Sequence, residues 1–262
     1  MATLTLPITP GQRALQRFEL VEYLPSGRLG ELWTALDLED GAPVVVRVAS
    51  PYLARDPEFC AAFLAAGGPS RRIRHPNVAR VVTSGIDEGL GPVLVAAWVP
   101  GEPLTALLRG GPPPTPAEIA RIGVDLCEGL KALHERGILH GDLRPSAVRL
   151  GWGGRGVLLD AGMPRPWSRP GDEISPRSAN WEYTAPEIAF DAPDQRSDLY
   201  SVAAVLQALV VGRPPLGMGW TWEDPAELPS RFAEVLTRAL DYRAERRFPT
   251  AGVLAAELAA VG

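Results

Sequence analysis

At 262 residues the chain can hold one large domain or two small lobes, and its 46% hydrophobic and 22% charged composition is that of a soluble globular protein. A formal net charge of -5 leaves no basic surplus, which argues against a nucleic-acid or anionic-membrane partner. Cys60 and Cys127 lie in apolar runs and read as free buried thiols, since two cysteines build neither a disulfide framework nor a metal cluster. Residues 1–17 read as an N-terminal extension with no basic stretch leading into an apolar core, so no secretory signal is expected. No apolar run reaches the roughly 20 residues needed to cross a bilayer, and the expected location is cytoplasmic.

From Phe18 to Val48 short apolar runs alternate with breaks at Pro25-Ser26-Gly27, Gly30 and Glu39-Asp40-Gly41, a strand pattern in which Val44-Val45-Val46 is a buried strand. Pro57 to Ala66 has helical composition and is expected to stop at Gly67-Gly68-Pro69 after two or three turns. Strands are expected at Val78–Val82 and Val93–Val99, ending at Pro100-Gly101. Thr115-Pro116-Ala117-Glu118 is a capping box with proline at the first helical position, opening a helix to about Arg136. Short strands are placed around Leu139-His140 and Val157-Leu158-Leu159. Helices follow at Ser197–Val211, Pro229–Leu240 and Thr250–Val261. The outline is α+β, with a mostly antiparallel β lobe at 18–100 and a larger α-helical lobe at 101–262.

Three segments carry chemistry: His140-Gly141-Asp142-Leu143-Arg144-Pro145, then Leu159-Asp160-Ala161-Gly162, then Ala185-Pro186-Glu187. In order and spacing they resemble the catalytic loop, metal loop and activation-segment end of protein kinases of the bacterial serine/threonine type. Arg74-His75-Pro76-Asn77-Val78 resembles the turn after the family's regulatory helix, and Arg196-Ser197-Asp198-Leu199-Tyr200-Ser201 the start of its large buried helix. The likeness runs from Phe18 to Val261 and implies a bilobal protein kinase-like fold.

A kinase positions ATP, neutralises phosphate charge with metal and orients the acceptor hydroxyl, so each part can be checked separately. The resemblance places the glycine-rich phosphate loop at Pro25-Ser26-Gly27-Arg28-Leu29-Gly30, where Gly27 and Gly30 remain but proline fixes φ and removes a donor at the first glycine position. Arg47 stands where the phosphate-binding strand lysine belongs, and the two side chains are not interchangeable at a tightly fitted site. The partner glutamate's position falls on Ala66; Glu58, the nearest carboxylate, comes two turns too early.

Asp142 matches the catalytic base, Arg144 replaces a γ-phosphate lysine, and Gly141 replaces the arginine that reads activation-segment phosphate. Ala147 replaces an asparagine metal ligand, and alanine can ligate nothing. Asn180 takes the place of the activation-segment threonine. Asp160 is the residual metal ligand, with Ala161 replacing the phenylalanine behind it. Ala97 and Val99, in the hinge-like Ala97-Trp98-Val99, would offer backbone groups to adenine.

The resemblance also implies a buried Glu187–Arg247 pair, and an Asp198 that accepts backbone N–H groups of the catalytic loop. Both serve the fold and would outlast the chemistry. His75, His134 and His140 read as structural. Ser168, Ser175 and Ser178 are open to modification, and Trp220 and Trp222 hint at a partner surface. The expectation is a pseudokinase: a scaffold or allosteric partner of another protein such as an active kinase or its substrate, with weak ATP binding and magnesium left open. A divergent active serine/threonine kinase is the alternative. A small-molecule phosphotransferase shares His140-Gly141-Asp142 but does not account for Ala147 or Ala185-Pro186-Glu187.

Overall fold

The structure, a computed structural model, describes residues 7–25, 27, 29–110, 113–164, 181–215 and 228–261. Asn180, Ser168, Ser175, Ser178, Trp220 and Trp222 lie outside the described residues. The chain divides into two units, Met1–Arg74 with Ala79–Trp98, and His75–Val78 with Val99–Gly262.

The first unit is built on a six-stranded antiparallel sheet. Its strands are β1 (Arg13–Ala14), β2 (Phe18–Leu24), β3 (Gly30–Asp37), β4 (Pro43–Ala49), β5 (Val81–Asp87) and β6 (Gly91–Ala97), in the order β1-β2-β3-β4-β6-β5. Alternation along β4 sends Val44, Val46 and Val48 into a core with Phe18, Leu20, Trp33, Val93 and Val95. Arg47 points to the other face, in register with Leu32 on β3 and Leu94 on β6, and is nonetheless buried.

The end of the segment set apart as an extension joins this sheet, with Arg13 opposite Glu19 and Ala14 opposite Phe18. The connecting turn holds Leu15 and Gln16 at φ of 52° and 59°, a conformation that costs a non-glycine residue roughly 1–2 kcal/mol. A 2.7 Å hydrogen bond from the Leu15 N–H to the buried Asp87 carboxylate secures it. Asp87 also accepts the N–H groups of Gly89 and Leu90, forming the turn between β5 and β6. This turn sets β5 and β6 apart from the expected Val78–Val82 and Val93–Val99. Val78 makes only an isolated bridge to Leu158, within the second unit.

Helix α1 (Pro57–Ser70) corrects the expected stop at Gly67-Gly68-Pro69. It is 14 residues long and carries all three of those residues in its last turns. A Cβ on Gly67 would come within 2.1 Å of the Ser84 hydroxyl of β5, so only glycine lets the helix lie this close. The Ser84 hydroxyl donates to the Leu64 carbonyl at 3.0 Å. Packing against β5 and β6, with Phe59, Phe63 and Ala66 buried, outweighs a propensity penalty of about 1 kcal/mol per glycine.

The second unit is helical, with a small sheet. Its elements are β7 (Glu102–Pro103), α2 (Pro116–His134), β8 (Val148–Leu150), β9 (Gly156–Leu158), α3 (Gln195–Val211), α4 (Ser230–Ala239) and α5 (Ala251–Ala259). Thr115 and Glu118 close the capping box at the start of α2. Helix α3 is buried nearly all round and packs with α2, α4 and α5. No strand forms at Leu139-His140; β8 pairs with β9 instead. Asn77 ties its turn to β9, its amide donating to the Gly156 carbonyl and its carbonyl accepting the Leu158 N–H, each at 2.8 Å.

Gly67→Ala should lower stability by about 1–3 kcal/mol in a denaturant titration, the usual cost of overpacking. Gly67→Ala combined with Ser84→Gly should recover most of that loss, because the clash disappears with the serine side chain.

Candidate catalytic site

The chemistry-bearing loops of the second unit are organised by one buried carboxylate. Asp198, in the first turn of α3, accepts the His140 N–H at 2.8 Å, the Gly141 N–H at 2.9 Å and a 2.8 Å contact from His134 Nε2. Burial alone would raise its pKa, but the His134 hydrogen bond, the two nearby histidines and the Gly141 N–H outweigh it and hold the carboxyl below its ordinary value. A loop that donates successive N–H groups to a fixed carboxylate has little freedom left.

His140 extends the same frame. Its ring is fully buried and its Nε2 lies 2.9 Å from the Leu159 carbonyl, so Nε2 carries the proton and Nδ1 accepts the Asp142 N–H at 3.3 Å. The Leu159 N–H in turn donates to the Ala147 carbonyl at 2.8 Å, and the Gly162 N–H to the His140 carbonyl at 3.3 Å. Catalytic loop and metal loop are thereby laced together on both sides of Asp160. Asp160 itself has φ of 54°, a left-handed backbone that aspartate tolerates better than most residues but at some cost.

Within this frame Asp142 and Asp160 are kept while positions 144 and 147 depart from the family's pattern. The Asp142 carboxylate lies 3.4 Å from the Arg144 guanidinium, which also donates to the Ser146 hydroxyl at 3.1 Å. Arg144 thus has its partners within its own loop. At Ala147 a methyl group, 1% exposed, sits where the family's second metal ligand would be. Magnesium wants several oxygen ligands in near-octahedral array, and a position with no oxygen removes the second-metal half of the usual pair. These residues do not fit a two-metal arrangement.

In the first unit, the Gly30 N–H donates to the Gly27 carbonyl at 3.3 Å across the turn between β2 and β3. Gly30 has φ of 134°, and a Cβ there would come within 2.0 Å of the Val48 carbonyl, so this glycine is required by the sheet whatever the loop binds. Gly27 is exposed with open space around its Cα, and Pro25 is exposed beside it. Arg47 is buried on β4, Ala66 is buried on α1, and Glu58 is exposed in the first turn of that helix. The Ala97 N–H donates to the Arg80 carbonyl and the Trp98 N–H to the Pro43 carbonyl, so of the two residues expected to face adenine Ala97 has its N–H engaged within the first unit. Val99 begins the long segment of the second unit.

Glu187 and Arg247 form a bidentate ion pair of 2.7 and 2.8 Å. The remaining Arg247 donors reach the carbonyls of Asp241, Tyr242 and Arg196, and its guanidinium lies 4.9 Å from the Tyr200 ring. Glu187 also accepts from the Ser197 hydroxyl at 2.7 Å, a partner with no distinguishing signal in the sequence. Burial pushes the Glu187 carboxyl up, but hydrogen bonds from Arg247 and Ser197 bring it below its ordinary value. Cys127 is buried, which raises its thiol pKa and makes it inert.

An antiparallel sheet unit, a helical unit and these loops in this order define a protein-kinase fold. The structure is similar to the crystal structure of the Mycobacterium tuberculosis PknI kinase domain, with a TM-score of 0.80 at 24% identity, covering 98% of this chain and 100% of that one. The protein kinase domain family model matches residues 18–254, and the chain belongs to that family. It is 29% identical over 273 residues to the serine/threonine-protein kinase PknB of Mycolicibacterium smegmatis, covering 96% of this chain and 44% of that protein. It is 32% identical over 206 residues to a probable serine/threonine-protein kinase of Corynebacterium efficiens, covering 76% of this chain and 31% of that protein. The chain therefore spans less than half the length of these relatives. Among the described residues, no helix is long and apolar enough to cross a membrane.

Arg247→Met should cost about 3–5 kcal/mol in a denaturant titration, because Glu187 would be left as an uncompensated, half-buried charge. Glu187→Leu/Arg247→Met should recover much of that loss. Glu187 and Asp198 both have depressed folded-state values, so their contribution is complete above the ordinary carboxylate values of 4.5 and 3.8 and is lost as pH falls through the lower folded values. Unfolding free energy measured against pH should therefore be level near neutrality and fall in the acid range, with a shallower fall in the Glu187→Leu/Arg247→Met variant.

Proposed function

We propose that this kinase-family domain is a pseudokinase, acting as a cytoplasmic scaffold or allosteric partner of another protein in bacterial serine/threonine signalling. The observation that carries the reading is Ala147: its methyl is buried in the loop that carries Asp142, at a position where the chemistry needs an oxygen ligand. Three further features support it. Arg144 is drawn onto Asp142, Ala66 offers Arg47 no carboxylate, and Pro25 begins the phosphate loop. ATP on this reading is held weakly and without a metal requirement.

One observation favours the alternative, a divergent active kinase with a single metal. Asp142 and Asp160 both survive, on loops hydrogen-bonded through His140, Ala147 and Gly162.

Calorimetric titration with ATP, in magnesium and again in EDTA, separates the two. The pseudokinase reading predicts weak binding of similar strength in both conditions, or none. Tight binding seen only with magnesium would show Asp160 working as a metal ligand and would favour the active kinase.

A further inference from the structure

A cavity of about 500 Å³ in the first unit, away from every residue assigned a catalytic role above, is walled by four arginines: Arg17, Arg71, Arg74 and Arg80. Phe18 and Thr83 are also among its lining residues. The concentration of positive charge is notable in a chain with a formal net charge of -5.

The arginines divide into two sets. Arg17 is held by carboxylates, Nε and Nη2 on Asp37 at 2.7 and 2.6 Å and Nη1 on Glu39 at 2.7 Å. The hydrogen bond with Asp37, outweighing desolvation, raises the Arg17 pKa; the same bond holds the Asp37 carboxyl below its ordinary value, with the Arg80 charge assisting. That pair fixes one wall. Arg74 turns one guanidinium nitrogen onto the Arg71 and Ile73 carbonyls, which anchors the side chain and leaves its charge uncompensated. Arg71 and Arg80 are exposed and make no ion pair among the described residues.

Arg71, Arg74 and Arg80 make no ion pair among the described residues and line one cavity beside the fixed Arg17, with the Arg80 charge also acting on Asp37. Guanidinium presents planar paired donors that match tetrahedral oxyanions, and phosphate groups above all. We propose that this cavity is a binding site for a phosphate group, carried by a phosphorylated serine or threonine side chain or supplied as free phosphate. Such a site would give the chain a phosphate reader at a place unrelated to Gly141, where the family's own phosphate-reading arginine is absent. The inference is independent of whether the domain transfers phosphate.

The test uses the whole chain and three probes: the blocked tripeptide acetyl-Ala-phosphothreonine-Ala-amide, its unphosphorylated counterpart and inorganic phosphate. Binding is followed by amide chemical shifts at Val81, Val82 and Thr83. The phosphorylated tripeptide, inorganic phosphate or both should shift these amides, and the unphosphorylated tripeptide should not. Arg71→Gln/Arg80→Gln, on exposed side chains, should weaken that binding by about tenfold or more, which is roughly 1.4 kcal/mol or more. Arg55→Gln/Arg109→Gln, a charge-matched change at exposed side chains outside the cavity, should leave it unaltered. Preference for the tripeptide would identify a phosphoprotein as the source, and preference for inorganic phosphate a free anion. No shift at these amides with either phosphate probe would overturn the proposal, as would affinity undiminished in Arg71→Gln/Arg80→Gln.

Discussion

A carboxylate removed from water must be met by donors, and Asp198 meets this requirement by drawing in His134, His140 and Gly141. The rest of the second unit's site follows from that constraint. With His140 and Gly141 fixed, the Asp142 N–H is placed against the His140 ring, and that ring is placed against the Leu159 carbonyl. The metal loop can then close onto the Ala147 and His140 carbonyls. The Glu187–Arg247 pair, its arginine buried and every Arg247 donor occupied, fixes the segment after Ala185 to α3 and to the loop before α5. Both carboxylates are structural groups, and their cost of burial is offset only while their partners remain.

On the proposed reading, this is how a kinase frame outlasts kinase chemistry. The interactions that shape the loops run through backbone N–H groups, backbone carbonyls, two histidines and two carboxylates, one buried and one half-buried. None requires a particular side chain at 47, 66, 144 or 147. On the proposed reading, departures at those positions remove ligands and orienting partners while these hydrogen bonds stay in place. Gly30 illustrates the same separation inside one motif: the sheet demands it, because its Cα lies against Val48, while Gly27 has no such neighbour and Pro25 has already departed from the family pattern.

The family and the order of its motifs were readable in the sequence because they rest on local signals. A capping box at Thr115 and Glu118 starts α2, and a loop of fixed spacing carries Asp142 and Asp160. What was not readable rests on contacts between distant segments. The Gly67-Gly68-Pro69 stretch breaks helices in isolation, yet α1 continues through it because Gly67 fits against Ser84. The β5–β6 hairpin is set by Asp87, whose carboxylate reaches back to Leu15. The pull of Arg144 onto Asp142 depends on loop geometry, and the four-arginine cavity gathers residues from Arg17 to Arg80 that form no single basic run.

The central claim is that the chain keeps the frame of a protein kinase without its phosphotransfer. Its most direct test is transfer of radiolabelled phosphate from the γ position of ATP, in magnesium, to the chain itself and to a generic protein acceptor. Asp142→Asn serves as the matched control. The claim predicts incorporation no greater in the unaltered chain than in Asp142→Asn. Incorporation that rises with time in the unaltered chain and vanishes in Asp142→Asn would contradict it, and would make Asp142 a working base.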